Sequence, residues 1–215
     1  MENFENFKFR PVKREEVESM LTQYGQQGNN SLIRWNHGMW IRFGNYDNDN
    51  LPLAMLVKGN IVGLVFYCIL KNHIVNQYEI IVREGETHKK YGEYLWRYWI
   101  EYVSLQGAKY LKISCTPQSI KWHYKHGLIF WGIDSSGSLR SFQPLFPTVE
   151  EQCRWRDYVI KHPDYKILSP KIAQFYLNEM LKDRKWSKEK INKIKDSILY
   201  IDKAWFYSRL QGEIQ

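Results

Sequence analysis

The chain has 215 residues, 44% hydrophobic and 25% charged, which fits one folded domain of ordinary size or one domain with a small appendage. Its longest uncharged apolar run, Ile61–Leu70, is about half a membrane span, and no basic start with a following apolar stretch marks a secretory signal. Cys68, Cys115 and Cys153 are too few and too scattered for a disulfide framework, so membrane, secreted and fibrous classes are excluded and a reducing cytoplasm is expected.

Residues 7–12 read as a first strand closed by Pro11. A helix follows from Lys13 or Arg14 to Tyr24, with Val17, Met20, Leu21 and Tyr24 at helical spacing and Gly25 as its stop. Residues 26–31 and 45–50 are polar loops. Leu53–Val57 and Ile61–Leu70 are β-branched runs joined by Lys58-Gly59-Asn60, a hairpin in which Gly and Asn supply the left-handed turn. Residues 77–82 form a further strand. From Lys90 to Leu105 the apolar positions Tyr91, Tyr94, Leu95, Tyr98, Trp99, Tyr102 and Val103 define an amphipathic helix that Gly107 ends. A strand over 110–115, a short helix over 119–126 stopped by Gly127, and a strand over 128–133 complete an α/β arrangement with a mostly central sheet. Helices are then expected over 149–162, 169–183 and 187–211. The organisation read from this pattern is a core over 1–144 and a helical extension over 145–215 packed on it.

The net charge of +8, from 31 Lys and Arg against 23 Asp and Glu, is half carried by residues 150–215, so no single arm holds it. It favours polyanionic partners such as nucleic acid or phosphorylated cofactors, and it equally fits a surface of solvated lysines. The segment over 78–105 carries the chemistry. A strand that runs through a loop into a helix aims several backbone amides and the positive end of the helix dipole at one spot, which suits a phosphate. The turn Glu86-Thr87-His88-Lys89-Lys90-Tyr91-Gly92 adds two cations and a glycine; it also fits a plain connection with solvated lysines.

This stretch resembles the GNAT superfamily of acyl-CoA-dependent N-acyltransferases, whose signature runs Val-x-Pro-x-x-Arg-Gly-x-Gly-x-Gly/Ala. Val82 takes the leading Val, Thr87 the Arg/Gln position, Lys90 the middle Gly and Gly92 the final Gly, without a gap. A second family pattern, Asn-x-x-Ala-x-x-Phe-Tyr-x-Lys-x-Gly-Phe, aligns with residues 116–128. There Ser119 falls at Ala, Trp122 at Phe, His123 at Tyr, Lys125 at Lys and Gly127 at Gly. The resemblance covers residues 7–133. It departs from the family at Thr87, His88 and Lys90.

The six histidines include no HxH and no HExxH, and no carboxylate follows the His123 and His126 pair, so no metal is expected. The resemblance implies a GNAT-like mixed central sheet with flanking helices and an amine that attacks the thioester of acetyl-CoA or another acyl-CoA directly. It implies that Ile81, Val82, Thr87, His88, Lys89, Lys90, Tyr91, Gly92 and Ser119 contact CoA. Glu79 falls where an acidic base is expected; a solvent-facing strand charge is the other reading. The acid that protonates the leaving thiolate is His123 by register, with its ordinary pKa nearer neutral, or Tyr124 by chemistry. Adjacent helical positions point about 100° apart, so only one can serve. Trp35, His37 and Trp40 lie where the family builds its acceptor wall. Cys115 reads as a buried structural thiol, and Trp96, Trp99, Trp122 and Trp131 as core. The expected function is an N-acyltransferase with an amine-bearing acceptor. The alternatives are a basic nucleic-acid-binding or nucleic-acid-modifying protein, or an interaction module that has lost CoA.

Overall fold

The computed structural model describes residues 7–19, 51–70, 72–82, 89–115, 119–130, 132–133 and 139–161. The chain divides into two compact units, Met1–Ala108 and Lys109–Gln215. The helices expected over 169–183 and 187–211, the loops over 26–31 and 45–50, and Trp35, His37, Trp40, Thr87, His88 and Trp131 lie outside the described residues.

In the first unit, β1 (Phe7–Pro11), β2 (Leu53–Val57), β3 (Asn60–Ile69) and β4 (Ile74–Val82) run antiparallel in that order. The hairpin forms where expected, but Asn60 belongs to β3. Lys58 (φ 51°) and Gly59 (φ 82°) make the two-residue turn, whose doubly positive φ matches the twist of the flanking strands. Residues 14–19 are helical. Arg10 clamps Glu16 of that helix through two bonds of 2.8 and 2.9 Å. Val12 and Val17 bury against Ala54, Leu56, Ile61, Leu64 and Phe66 on one face of the sheet.

Helix α1 (Tyr91–Leu105) covers the other face, burying Leu95, Trp96, Trp99, Ile100 and Val103. Gly63 in β3 permits this approach, since a Cβ there would lie 2.9 Å from Leu95 Cδ2. Trp96 is in the core as its reading expects and Ile100 joins it, while Tyr98, on the expected apolar stripe, is 37% exposed and stacks on Phe9 at 4.1 Å. Gly107 (φ 86°) ends the helix. Its amide donates to Ser104 O, and that of Ala108 donates to Val103 O, the paired bonds of a Schellman cap.

The second unit contains β5 (Tyr110–Cys115), α2 (Ile120–Lys125), β6 (Gly132–Ile133), β7 (Leu139–Pro144) and α3 (Val149–Lys161). β7 pairs antiparallel with both β5 and β6. The strand expected over 128–133 shortens to 132–133. The Gln143 side chain does the work of a ladder for the rest: it accepts from Ile129 N at 2.9 Å and donates to Gly127 O at 3.0 Å. β7 itself was hidden from the sequence pattern because its inward positions include Ser141 and Gln143, both polar and fully buried. Among the described residues no helix is long and apolar enough to cross a membrane.

Candidate functional site

The first unit's candidate residues cluster where β4 ends and α1 begins. On β4 the pairing with β3 runs Gly63 to Val82, Leu64 to Ile81, Val65 to Ile80 and Phe66 to Glu79, then jumps to Tyr67 opposite Gln77. Tyr78 is therefore an extra, unmatched residue, a β-bulge that bends the strand and re-aims the side chains beside it. Tyr78 and Ile81 pack against the cluster holding Leu64 and Phe66. Glu79, opposite Phe66 and two residues from Ile81, shares that face by strand alternation. Burial in this apolar setting pushes the Glu79 carboxyl up to about 7, although the Ile80 amide donates a hydrogen bond that opposes the shift. A carboxyl held there exists in both protonation states near neutral pH, which suits proton transfer. Tyr78 is fixed by its hydroxyl, 2.9 Å from Cys68 Sγ on β3.

Ile81 and Val82 are half-buried at the end of β4. Beyond residues 83–88, Lys89 and Lys90 are exposed and Tyr91 is buried. Lys89 Nζ stands over the Tyr91 ring, 5.7 Å from its centroid. Lys90, at the N-cap of α1, has φ 57° and ψ 18°. This is the left-handed conformation that glycine adopts at no steric cost and other residues enter at a cost of about 1–2 kcal/mol. It stands where the resembled signature has glycine, the residue this backbone conformation favours, and it carries a cation there. Lys90 O accepts from Glu93 N at 2.9 Å and Tyr94 N at 3.1 Å. The amides of Tyr91 and Gly92 precede that first closed turn and have no intrahelical acceptor.

The second unit carries Ser119, which is half-buried at the N-cap of α2, and the pair His123 and Tyr124. Helix α2 closes on Gly127 (φ 87°), with Gly127 N donating to Tyr124 O and Leu128 N to His123 O, both at 3.1 Å. That cap fixes the backbone of both candidate acids. They differ in surroundings. His123 is 4% exposed, and burial together with the neighbouring His126 pushes its pKa down to about 3. The expected near-neutral titration is therefore lost: His123 is a neutral imidazole at physiological pH. Tyr124 is half-buried, and Arg156 of α3 lies over its ring, 4.7 Å from the centroid. Nothing in the sequence pattern pointed to Arg156, or to the Tyr78 bulge.

Cys115 is fully buried, and burial raises its thiol well above the usual range, which leaves it inert. The three cysteines form no disulfide with one another. Among the described residues no group of three or more His, Cys, Asp or Glu is placed to hold a metal ion.

No protein-family model matches the chain, and no curated protein matches it by sequence. Solved structures do match. A Klebsiella pneumoniae protein described as an acyl-CoA N-acyltransferase superposes with a TM-score of 0.51 at 12% identity, over 65% of this chain and 98% of its own. Tetrahymena GCN5 superposes with a TM-score of 0.50 at 12% identity, over 65% of this chain and 97% of its own. The likeness establishes the fold: α/β, with the mixed sheet and flanking helices of the GNAT architecture, in a divergent sequence.

Proposed function

We propose that the chain is an acyl-CoA-dependent N-acyltransferase, most simply an acetyltransferase, acting in the cytoplasm on an amine-bearing acceptor. One observation carries the reading: on this fold, a carboxyl sits beside a bulge in β4, in an apolar setting that holds it near neutral ionisation. The core of the enzyme is the segment 1–144, and 145–215 is its extension.

Acyl-CoA brings an activated thioester, and the chain's own residues supply binding and proton movement. The amides of Tyr91 and Gly92, offered by the left-handed turn at Lys90, suit a diphosphate, and the charges of Lys89 and Lys90 add to the helix dipole. Thr87 and His88, with Ile81 and Val82 at the strand end and Ser119 before α2, complete the proposed cofactor contacts. Trp35, His37 and Trp40 are the proposed acceptor wall. Glu79, ionised, takes the proton that the acceptor's ammonium must lose before its nitrogen can attack. Tyr124 gives a proton to the departing thiolate. A neutral imidazole is a far weaker proton donor than a phenol, which favours Tyr124 over His123 for this role.

The test is a thermal-shift titration with acetyl-CoA, followed by an assay of thiol release with a panel of amines. Saturation at a hundredfold excess over Kd stabilises the protein by about 2.7 kcal/mol. Stabilisation together with amine-dependent thiol release supports the proposal. Stabilisation by RNA or DNA alone, falling steeply with salt, replaces it with nucleic-acid binding, and a response to neither replaces it with an interaction module.

A further inference from the structure

The C-terminal extension begins with α3, and one of its residues is built into α2. Two arginines on that helix behave differently. The Arg154 side chain is 75% exposed, whereas that of Arg156 is 14% exposed. The Arg156 guanidinium is held at three points. Its Nη1 donates to the backbone oxygen of Tyr124. Its Nε and Nη2 bond Asp157 Oδ1 at 2.9 and 2.8 Å. Its Cζ stands 4.7 Å from the centre of the Tyr124 ring. Cys153, one turn earlier, donates to Lys125 O at 3.4 Å. The end of α2 is thus gripped from α3, with one cation directed at one phenol.

We infer that Arg156 is a positioning residue: it fixes the Tyr124 ring and stabilises the phenolate that remains when Tyr124 has given its proton to the departing thiolate. This rests on the acyltransferase reading above. In that step the phenol O–H bond breaks, an S–H bond forms, and the negative charge moves from sulfur to the phenol oxygen. A phenol is ordinarily the weaker acid of the two, so the transfer runs uphill unless a positive charge lies beside the phenolate. A guanidinium over an aromatic face supplies that charge and holds the ring in place. Neither Arg156 nor any residue of α3 belongs to the two signature segments, so this chain has drawn its extension into the chemistry.

The experiment compares the full chain with R156A, R156K, Y124F and R156A/Y124F. The first readout is independent of turnover: the carbon-13 resonance of the Tyr124 Cζ atom, identified by its loss in Y124F. It is expected to shift in R156A and to return towards the wild-type position in R156K. An unchanged resonance overturns the inference. The second readout is steady-state thiol release. R156A is expected to lower kcat about tenfold while leaving KM for acyl-CoA within about twofold, R156K to recover part of the loss, and the double variant to match Y124F. Additive losses in the double variant, or a fall confined to KM, overturn the inference and leave the acyltransferase reading standing. Absence of thiol release from the wild-type chain overturns both.

Discussion

Gly127 and Gln152 touch backbone to backbone: a Cβ placed on Gly127 would lie 2.7 Å from the Gln152 carbonyl carbon and 2.8 Å from Cys153 N. The glycine is needed twice, for its φ of 87° and for the room it leaves. It ends α2 at the place where α3 presses on it, so the glycine of the second signature segment is also the seat of α3. The Gln152 side chain ties α3 to the end of β7 and the turn after it, donating to Pro144 O at 3.1 Å and accepting from Phe146 N at 3.2 Å.

Gly127→Ala therefore combines left-handed strain with overpacking. The expected loss is about 2–4 kcal/mol of stability, read as a lower urea midpoint with an unchanged slope. Gly59→Ala is the control: it shares the positive φ but has nothing within 4 Å of the added methyl. Its cost should stay near about 1–2 kcal/mol. Equal losses at the two sites would remove the packing part of the argument.

Glu79 makes opposite predictions for activity and stability. As the base it works when ionised, so kcat/KM should rise with pH through about 7, and Glu79→Gln should abolish that limb. Its carboxyl is raised in the folded state, so the fold binds a proton that the unfolded chain has already released. Below the ordinary value of 4.5 both states are protonated and nothing is lost; between 4.5 and about 7 stability falls as pH rises, and above that the full cost of the buried charge is present. Glu79→Gln should therefore be more stable than wild type at pH 8, by on the order of 2–3 kcal/mol, and little changed at pH 4. Denaturation at both pH values checks this; a variant less stable at both would show that the carboxylate is a structural partner.

How far these features were legible in the sequence depends on whether side-chain chemistry or backbone geometry carried them. The hairpin at Lys58-Gly59 and the helix from Tyr91 announce themselves through turn residues and periodic apolar positions. β7 does not, because Ser141 and Gln143 occupy its inward face and form a hydrogen-bonded core in place of an apolar one. Glu79 could be picked out by its distance from Val82, but its raised ionisation comes from burial in the fold, and the neighbouring register shift at Tyr78 is one that no residue type signals. His123 shows the opposite failure. Its identity suggested a near-neutral titrating group, and its burial beside His126 removed that property. Arg156 was invisible because its partner lies 32 residues earlier in the chain.

Lys90 tests the idea that a cation has replaced a glycine without changing the backbone. Lys90→Gly should relieve the left-handed strain and stabilise the protein by about 0.5–1 kcal/mol, the gain being reduced by glycine's extra freedom when unfolded. It should also weaken acyl-CoA binding and flatten its salt dependence, since one charge near the diphosphate is gone. Lys90→Ala separates the effects: it removes the charge and keeps the strain, so it should lose affinity with no gain in stability. Calorimetric titration at two salt concentrations, with Tm for each variant, is the measurement. Unchanged affinity in both variants would exclude Lys90 from the cofactor site.

His123 governs the acid side of stability. In the unfolded chain its imidazole takes up a proton as pH falls through about 6.5, whereas in the fold it stays neutral until about 3. The unfolded state therefore binds the extra proton across that window, and the linkage runs towards unfolding as pH drops. Stability owed to the neutral buried ring is complete above 6.5 and is lost progressively down to about 3, on the order of a few kcal/mol in all. A His123→Phe variant fills much of the same volume without titrating. It should start with a different stability at pH 7.5 and then decline less steeply than wild type between pH 6 and 4. Denaturation curves at half-unit pH steps over that range compare the slopes directly. Parallel slopes for the two proteins would show that His123 is protonated in the fold as readily as in the open chain, and would return it to the contest with Tyr124 for the role of acid.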